Sequence, residues 1–309
     1  MTKRAKLEGL IAAGFTPLHP DGSLNLALVP ALVDHLIGQG VTGIYACGST
    51  GEGPLLSSDE RRQVAEAYIE ASAGRLPVAV QVGHNSLAES CALARHAAEA
   101  GADIISALSP SYFQPADVQN LVDCMAEIAG QVPQLPFYYY HIPRLTGTDM
   151  SMVAFLEAGG GVIPNLAGIK YSDFKLFEYQ DCLHFQDGAY DILWGCDEML
   201  LSALATGARA AVGSTYNMAA PIYLEVMRHF AAGHMEAAQQ AMLRSVQYVN
   251  ACNGRHGAAL TCLKATMAMI GLDCGPTRMP LRPLDSGAFS TLQRDLEQLG
   301  FFDWIQASQ

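Results

Sequence analysis

Five lysines occur in this 309-residue sequence, at positions 3, 6, 170, 175 and 264. Four have ready surface readings. Lys170 does not, because it interrupts LAGIKYS (166–172), a run whose other members belong inside a fold. Burying an ammonium strips its hydration, so a buried lysine without a partner is rare. The same desolvation favours the neutral amine, the form that attacks a carbonyl and condenses to a Schiff base. Two readings stand for Lys170: that nucleophile, or a salt-bridged lysine at a strand end. Tyr140 bears on the choice. FYYYHIP (137–143) sets three tyrosines in a row, and on a strand alternate rings face opposite sides. One phenol can then stand beside Lys170 on the following strand and move protons during condensation and bond cleavage. Aromatic packing is the alternative, and it suffices for Tyr138 and Tyr139.

Two further segments suit a small acidic or polyhydroxylated ligand. In GSTGE (48–52), the hydroxyls of Ser49 and Thr50 and the exposed N–H groups of a turn fit a carboxylate. A tight strand-to-helix turn would use the same residues. The segment lacks Gly-Lys-Ser/Thr, which argues against nucleotide binding. Asp197 and Glu198 either open a helix, where acidic side chains complement the dipole, or accept hydrogen bonds from substrate hydroxyls. The nine histidines show no H-E-x-x-H and no metal-ligand rhythm, so no metal is expected.

The elements that must position these residues repeat. Short apolar runs fall at 8–16, 41–48, 77–83, 102–110, 135–142, 166–172, 191–197 and 208–215. Near-continuous apolarity is the mark of parallel strands buried on both faces. Amphipathic stretches lie between them. Ser57 and Glu60 have the spacing of a capping box, and Gly74, Gly101 and Gly207 stand where left-handed residues stop helices. Eight strand-then-helix units predict an α/β fold, a TIM (β/α)8 barrel over 1–230. No G-x-G-x-x-G follows the first strand, which weakens a dinucleotide-binding alternative. After residue 220 the rhythm becomes helical, at 221–232, 235–251, 256–271 and 288–299, predicting a C-terminal helical extension over 231–309 packed on the barrel. In such a barrel the active site lies at the carboxyl ends of the strands. That places Ser49, Thr50 and Glu52, Tyr112, Tyr140, Lys170 and Ser172, Gly195, Asp197 and Glu198, and Gly213 and Ser214 around one mouth.

Composition narrows the partners. Half of the residues are hydrophobic, enough for a large core, and the net charge of −12 offers no basic excess for phosphates. A nucleic acid or an acidic membrane surface is therefore not the expected partner. The apolar stretches are shorter than the roughly 20 residues of a membrane span. The opening MTKRAKLEGLIAAGF imitates a signal peptide loosely, but Glu8 interrupts it, and it reads as mature protein. Eight cysteines form no C-x-x-C pair, and most read as small buried hydrophobes in a reducing, cytoplasmic setting.

In order along the chain, GSTGE, YHIPRLTG (140–147) and GIKYS (168–172) resemble the dihydrodipicolinate synthase / N-acetylneuraminate lyase family of class I pyruvate aldolases. The resemblance spans residue 8 to about 285. It implies that Lys170 forms the imine, that Tyr140 shuttles protons, and that Ser49 and Thr50 bind the pyruvyl carboxylate. Tyr112, in SPSYF, matches an aromatic that some members contribute to catalysis across a dimer interface. Asp197 and Glu198, with Ser172, Gly195, Gly213 and Ser214, match positions around a polyhydroxylated substrate. The synthase branch commonly carries an arginine five residues after the tyrosine. Leu145 stands there in this chain and Arg144 is displaced by one, which favours a sugar acid as substrate. The implied reaction is retro-aldol cleavage of N-acetylneuraminate to N-acetylmannosamine and pyruvate, by a homotetramer and without a metal or cofactor. Another pyruvate-dependent aldolase and a non-catalytic keto-acid-binding barrel are the rivals. His141, Ser111 and Cys47 depart from the usual pattern.

Overall fold

A computed structural model describes residues 6–253 and 258–306. Lys3, both chain ends of the expected units and the first two positions of the helix expected over 256–271 lie outside the described residues. The strands are β1 (Gly9–Ala13), β2 (Gly43–Ala46), β3 (Val78–Gln81), β4 (Ile104–Leu108), β5 (Phe137–His141), β6 (Leu166–Tyr171), β7 (Asp191–Trp194) and β8 (Ala210–Gly213). They close in sequence order, all parallel, with β8 returning to β1. This is the TIM barrel that the eight units predict. Each strand is shorter than its apolar run, because the last residues of the run leave the ladder and become the loops of the mouth.

The period-2 alternation of a strand divides the core in two. Tyr138 and Tyr140 of β5 face inward and pack with Ile11, Tyr45, Ile104 and Leu193. Phe137 and Tyr139 face the layer between sheet and helices. Tyr138 donates to Asp191 Oδ2 at 2.9 Å near the opposite end of the barrel from the mouth, so it is structural there.

Helix ends follow the sequence signals with one exception. Glu60 N–H donates to Ser57 Oγ and Ser57 N–H to Glu60 Oε2, closing the capping box. Gly101 and Gly207 take the left-handed caps. At the Ser58–Ser72 helix, however, the cap is Ala73 at φ 48°, whose N–H reaches Ile69 O, and Gly74 follows it. After β8 come Tyr216–Ala231, Met235–Cys252, Ala259–Met269 and Ser286–Leu299, and then a helix over Phe301–Gln306 that the sequence reading omits. Phe301 stacks on Tyr248 with ring centres 4.4 Å apart, joining this last helix to the extension.

Candidate active site

β5 and β6 are adjacent in the barrel, and their register makes Tyr140 and Lys170 direct partners. Both side chains point inward at the mouth. Lys170 is 4% exposed, and its Nζ lies 3.6 Å from the centre of the Tyr140 ring and 4.5 Å from that of Tyr45. Among the described residues it makes no ion pair. The Lys170 ammonium is thus held by two ring faces, an electrostatic attraction to the ring quadrupoles rather than to a carboxylate. Tyr45 donates to Ser106 Oγ at 2.9 Å, and Ser106 in turn donates to Tyr138 O. Burial pushes the Tyr45 phenol well up, so it stays neutral and keeps its ring face toward the amine. Tyr45 was missed at the sequence level, although inward alternation along GIYACG points to it.

The turn after β2 brings Ser49 to the same place. Ser49 Oγ lies 3.4 Å from the Tyr140 hydroxyl. Cys47 and Glu52, at φ 59° and 56°, bracket the turn with left-handed backbone, which non-glycine residues adopt only when their surroundings impose it. Thr16 Oγ1 donates to Gly51 O at 2.6 Å and fixes the turn to the end of β1.

Across the mouth, Asp197 is 6% exposed and accepts two hydrogen bonds from Thr215, from N–H at 2.8 Å and from Oγ1 at 2.6 Å. Thr215 Oγ1 meets the Tyr223 hydroxyl at 2.6 Å, and Ser245 Oγ donates to that hydroxyl at 2.7 Å. Burial pushes the Asp197 carboxyl up to about 6, against the opposing pull of the Thr215 bonds and the Lys170 charge. Glu198 also lines the cavity but is less buried. Gly213 is there because Asp197 is: a Cβ on it would come within 2.2 Å of Oδ1. In the same way a side chain at Gly195 would meet Ser172 Oγ. Both positions leave no room for a side chain, and their backbones line the cavity.

The cavity enclosed by these groups has a volume of about 530 Å³. Ser49, Thr50, Tyr140, Lys170, Ser172, Gly195, Asp197, Glu198, Gly213 and Ser214 all line it. Tyr112 does not. It stands on the loop after β4, 80% exposed, with its ring against that of Phe113. Arg144 and Leu145 both reach the cavity rim, with the Arg144 guanidinium 5.8 Å from the centre of the Phe174 ring. The extension supplies an apolar wall that the sequence did not announce, including Val249, Leu260, Leu263 and Leu281. Two sequence expectations are corrected. Glu52 belongs to the mouth in sequence order, yet it is buried and absent from the lining. Lys264, read as a surface residue, is 2% exposed and pairs with Glu52 at 2.6 Å. It lies one turn after Leu260 and beside Leu263, on a helix face that packs inward. Among the described residues no three His, Cys, Asp or Glu side chains come together in a way that could hold a metal ion.

A desolvated amine beside a phenol, facing a hydroxyl-bearing turn and an acidic edge, equips a barrel to condense with a carbonyl compound that also bears an acid group and hydroxyls. The dihydrodipicolinate synthetase family model matches residues 6–299, and the chain belongs to that family. It is 39% identical to the N-acetylneuraminate lyase of Gallus gallus, over 91% of this chain and 92% of that protein. Among solved structures, the N-acetylneuraminate lyase of Proteus mirabilis superimposes with a TM-score of 0.93 at 38% identity, covering 96% of this chain and 100% of that one. The N-acetylneuraminate lyase (sialic acid aldolase) of Aliivibrio salmonicida gives 0.93 at 36% identity, covering 96% and 98%.

Proposed function

We propose that the protein is a carbon–carbon lyase that cleaves N-acetylneuraminate to N-acetylmannosamine and pyruvate through a Schiff base on Lys170. The observation that carries this reading is the buried Lys170 amine between the Tyr140 and Tyr45 rings, with Ser49 on one side of the cavity and Asp197 on another. The resemblance to lyases of that name over nearly the whole chain supports the substrate.

In this mechanism Ser49 and Thr50 hold the carboxylate of the open-chain keto acid and present C2 to the Lys170 amine. The C–N bond forms as the carbonyl oxygen takes a proton from Tyr140. Loss of that oxygen as water gives the protonated imine. The C4 hydroxyl then loses its proton to the Tyr140 phenolate or the substrate carboxylate. Its electron pair forms the aldehyde as the C3–C4 bond breaks, and the bonding pair flows to the iminium nitrogen. The enamine is protonated at C3, and hydrolysis frees pyruvate and the Lys170 amine. Asp197 and Glu198 accept hydrogen bonds from sugar hydroxyls, orienting the C3–C4 bond.

The same proposal takes 1–230 as barrel and 231–309 as extension, and assigns the protein to a reducing, cytoplasmic compartment. All eight cysteines are free, and no helix among the described residues is long and apolar enough to cross a membrane. It further takes the active assembly as a homotetramer in which Tyr112 serves a neighbouring site, in keeping with the exposed Tyr112–Phe113 pair. Light scattering is expected to give four chain masses.

Trapping and a substrate panel test the reading. Pyruvate with borohydride should add a reduced pyruvyl group to the peptide containing Lys170, and N-acetylneuraminate should be cleaved best among 2-keto sugar acids. Label on Lys175 or Lys264 overturns the imine assignment. Faster cleavage of a different keto acid transfers the protein to another aldolase of the family.

A further inference from the structure

The turn that carries Ser49 and Thr50 is not held by the barrel alone. Its backbone is closed on itself: Glu52 N–H donates to Ser49 O at 3.1 Å and Gly53 N–H to Gly48 O at 3.0 Å. Whatever fixes Glu52 therefore fixes Ser49. The Glu52 carboxylate meets Lys264 Nζ at 2.6 Å through Oε1 and accepts from Arg278 N–H at 2.7 Å through Oε2. Lys264 also donates to Pro276 O at 2.9 Å. Lys264 and Arg278 both belong to the C-terminal extension. A second strap lies just outside, where the Arg278 guanidinium grips Glu60 with both nitrogens, at 2.5 and 2.7 Å.

The side chains of Glu52 and Lys264 are 0% and 2% exposed. A pair this deep is a poor way to gain stability, since an apolar pair of equal volume often serves as well or better. What it does supply is steep resistance to displacement, because separating the partners leaves two desolvated charges. Leu263, next to Lys264, and Leu260, one turn before it, line the cavity. One helix thus both walls the cavity and grips the turn opposite Tyr140.

We propose that Glu52 and Lys264 are positioning residues through which the C-terminal extension sets Ser49 and Thr50 for the keto-acid carboxylate. The inference rests on the reading of this turn as the carboxylate site. Neither residue touches substrate; each acts through the turn.

The test uses the full-length protein and two double variants that leave no unpaired charge, Glu52→Gln with Lys264→Gln and Glu52→Leu with Lys264→Met. Pyruvate concentration is varied in borohydride trapping, at a temperature well below each variant's Tm. Half-saturation is expected to rise about tenfold or more, the scale of one weakened hydrogen bond to a carboxylate. The maximal trapping rate, set by Lys170 and Tyr140, is expected to stay within about threefold. A lone Lys264→Arg variant, which keeps the charge, is expected to recover most of the pyruvate affinity. A folded double variant with half-saturation within about twofold of the parent overturns the proposal, as does a fall in maximal rate with half-saturation unchanged. Failure of the parent to trap pyruvate on Lys170 sinks the proposed function instead, so the two failures are told apart.

Discussion

Tyr140 and Lys170 are register partners on neighbouring strands, and the lysine amine rests 3.6 Å from the centre of the tyrosine ring. The face of the ring attracts the cation, while its hydroxyl edge reaches Ser49. One side chain therefore has two separable parts, a π surface that holds the lysine and an O–H to which the proposed mechanism gives the proton transfers.

Tyr140→Phe separates them. The ring contacts with Lys170 and Tyr45 persist, so the melting temperature should move little. Turnover of N-acetylneuraminate should fall by roughly 10²–10⁴-fold, the usual range for a lost acid–base group. A kcat close to that of the parent would return Tyr140 to packing.

Lys170→Arg is expected to abolish both pyruvate trapping and cleavage, because a guanidinium stays protonated and cannot condense. Calorimetry should still show a cooperative unfolding transition, since the cation remains between two rings. Measurable cleavage by this variant would mean that the chemistry runs without an imine at this position.

Glu198→Gln addresses the end of the cavity that the proposed function gives to the sugar. Losing a charged acceptor should lower kcat/KM for N-acetylneuraminate by the equivalent of about 1.5–3 kcal/mol. Pyruvate trapping should be unchanged, because it uses the opposite end. Loss of trapping in step with cleavage would make Glu198 a support for the barrel.

Asp197 should write itself into the pH dependence. Its carboxyl, pushed up to about 6 by burial, is protonated below that pH and then accepts a substrate hydroxyl poorly. An acidic fall in kcat/KM near pH 6 is expected, and Asp197→Asn should remove that limb while lowering the plateau. The stability sign runs the other way. A raised folded pKa means that the native state holds the proton more tightly between the ordinary carboxylate value and about 6. Stability contributed by Asp197 is therefore lost as pH rises through that window. At pH 7.5 the asparagine variant should melt at or above the parent temperature; a clear drop would show that the charge itself holds the Thr215 network.

His141 gives the opposite sign. Its ring is fully buried, neither ring nitrogen has a hydrogen-bond partner among the described residues, and burial pulls it down to about 4. The unfolded chain takes up the proton first on acidification, so stability is lost as pH falls from about 6.5 toward 4. His141→Phe should narrow the difference in melting temperature between pH 5 and pH 7.5. An unchanged difference would place the acid sensitivity elsewhere.

The barrel was legible because its signals are local and repeated. Each strand is an apolar run, and each mouth residue follows from being last in one. Lys170 and Tyr140 could be paired from alternation and strand order alone. Tyr45 obeyed the same rule but carried no chemical oddity to draw attention. Lys264 was misread for a different reason. Its position one turn after Leu260 and one before Met267 already puts it on the inward face, but a lysine there needs a buried acid, and that acid, Glu52, is more than 200 residues away and leaves no local signal. The apolar wall of Leu260, Leu263 and Leu281 was hidden likewise, since leucines on a helix look alike whether they face a core or a cavity.

The straps from Glu52 to Lys264 and from Glu60 to Arg278 have a consequence for anyone recombining this protein with its relatives. A C-terminal segment exchanged between two such enzymes brings more than a new wall for the substrate. It also brings the grip on the turn and helix after β2, whose matching acids were encoded in the first fifth of the recipient. Chimaeras should therefore keep the turn and helix that follow β2 and the tail from a single parent, and the functional crossover points fall between those two regions.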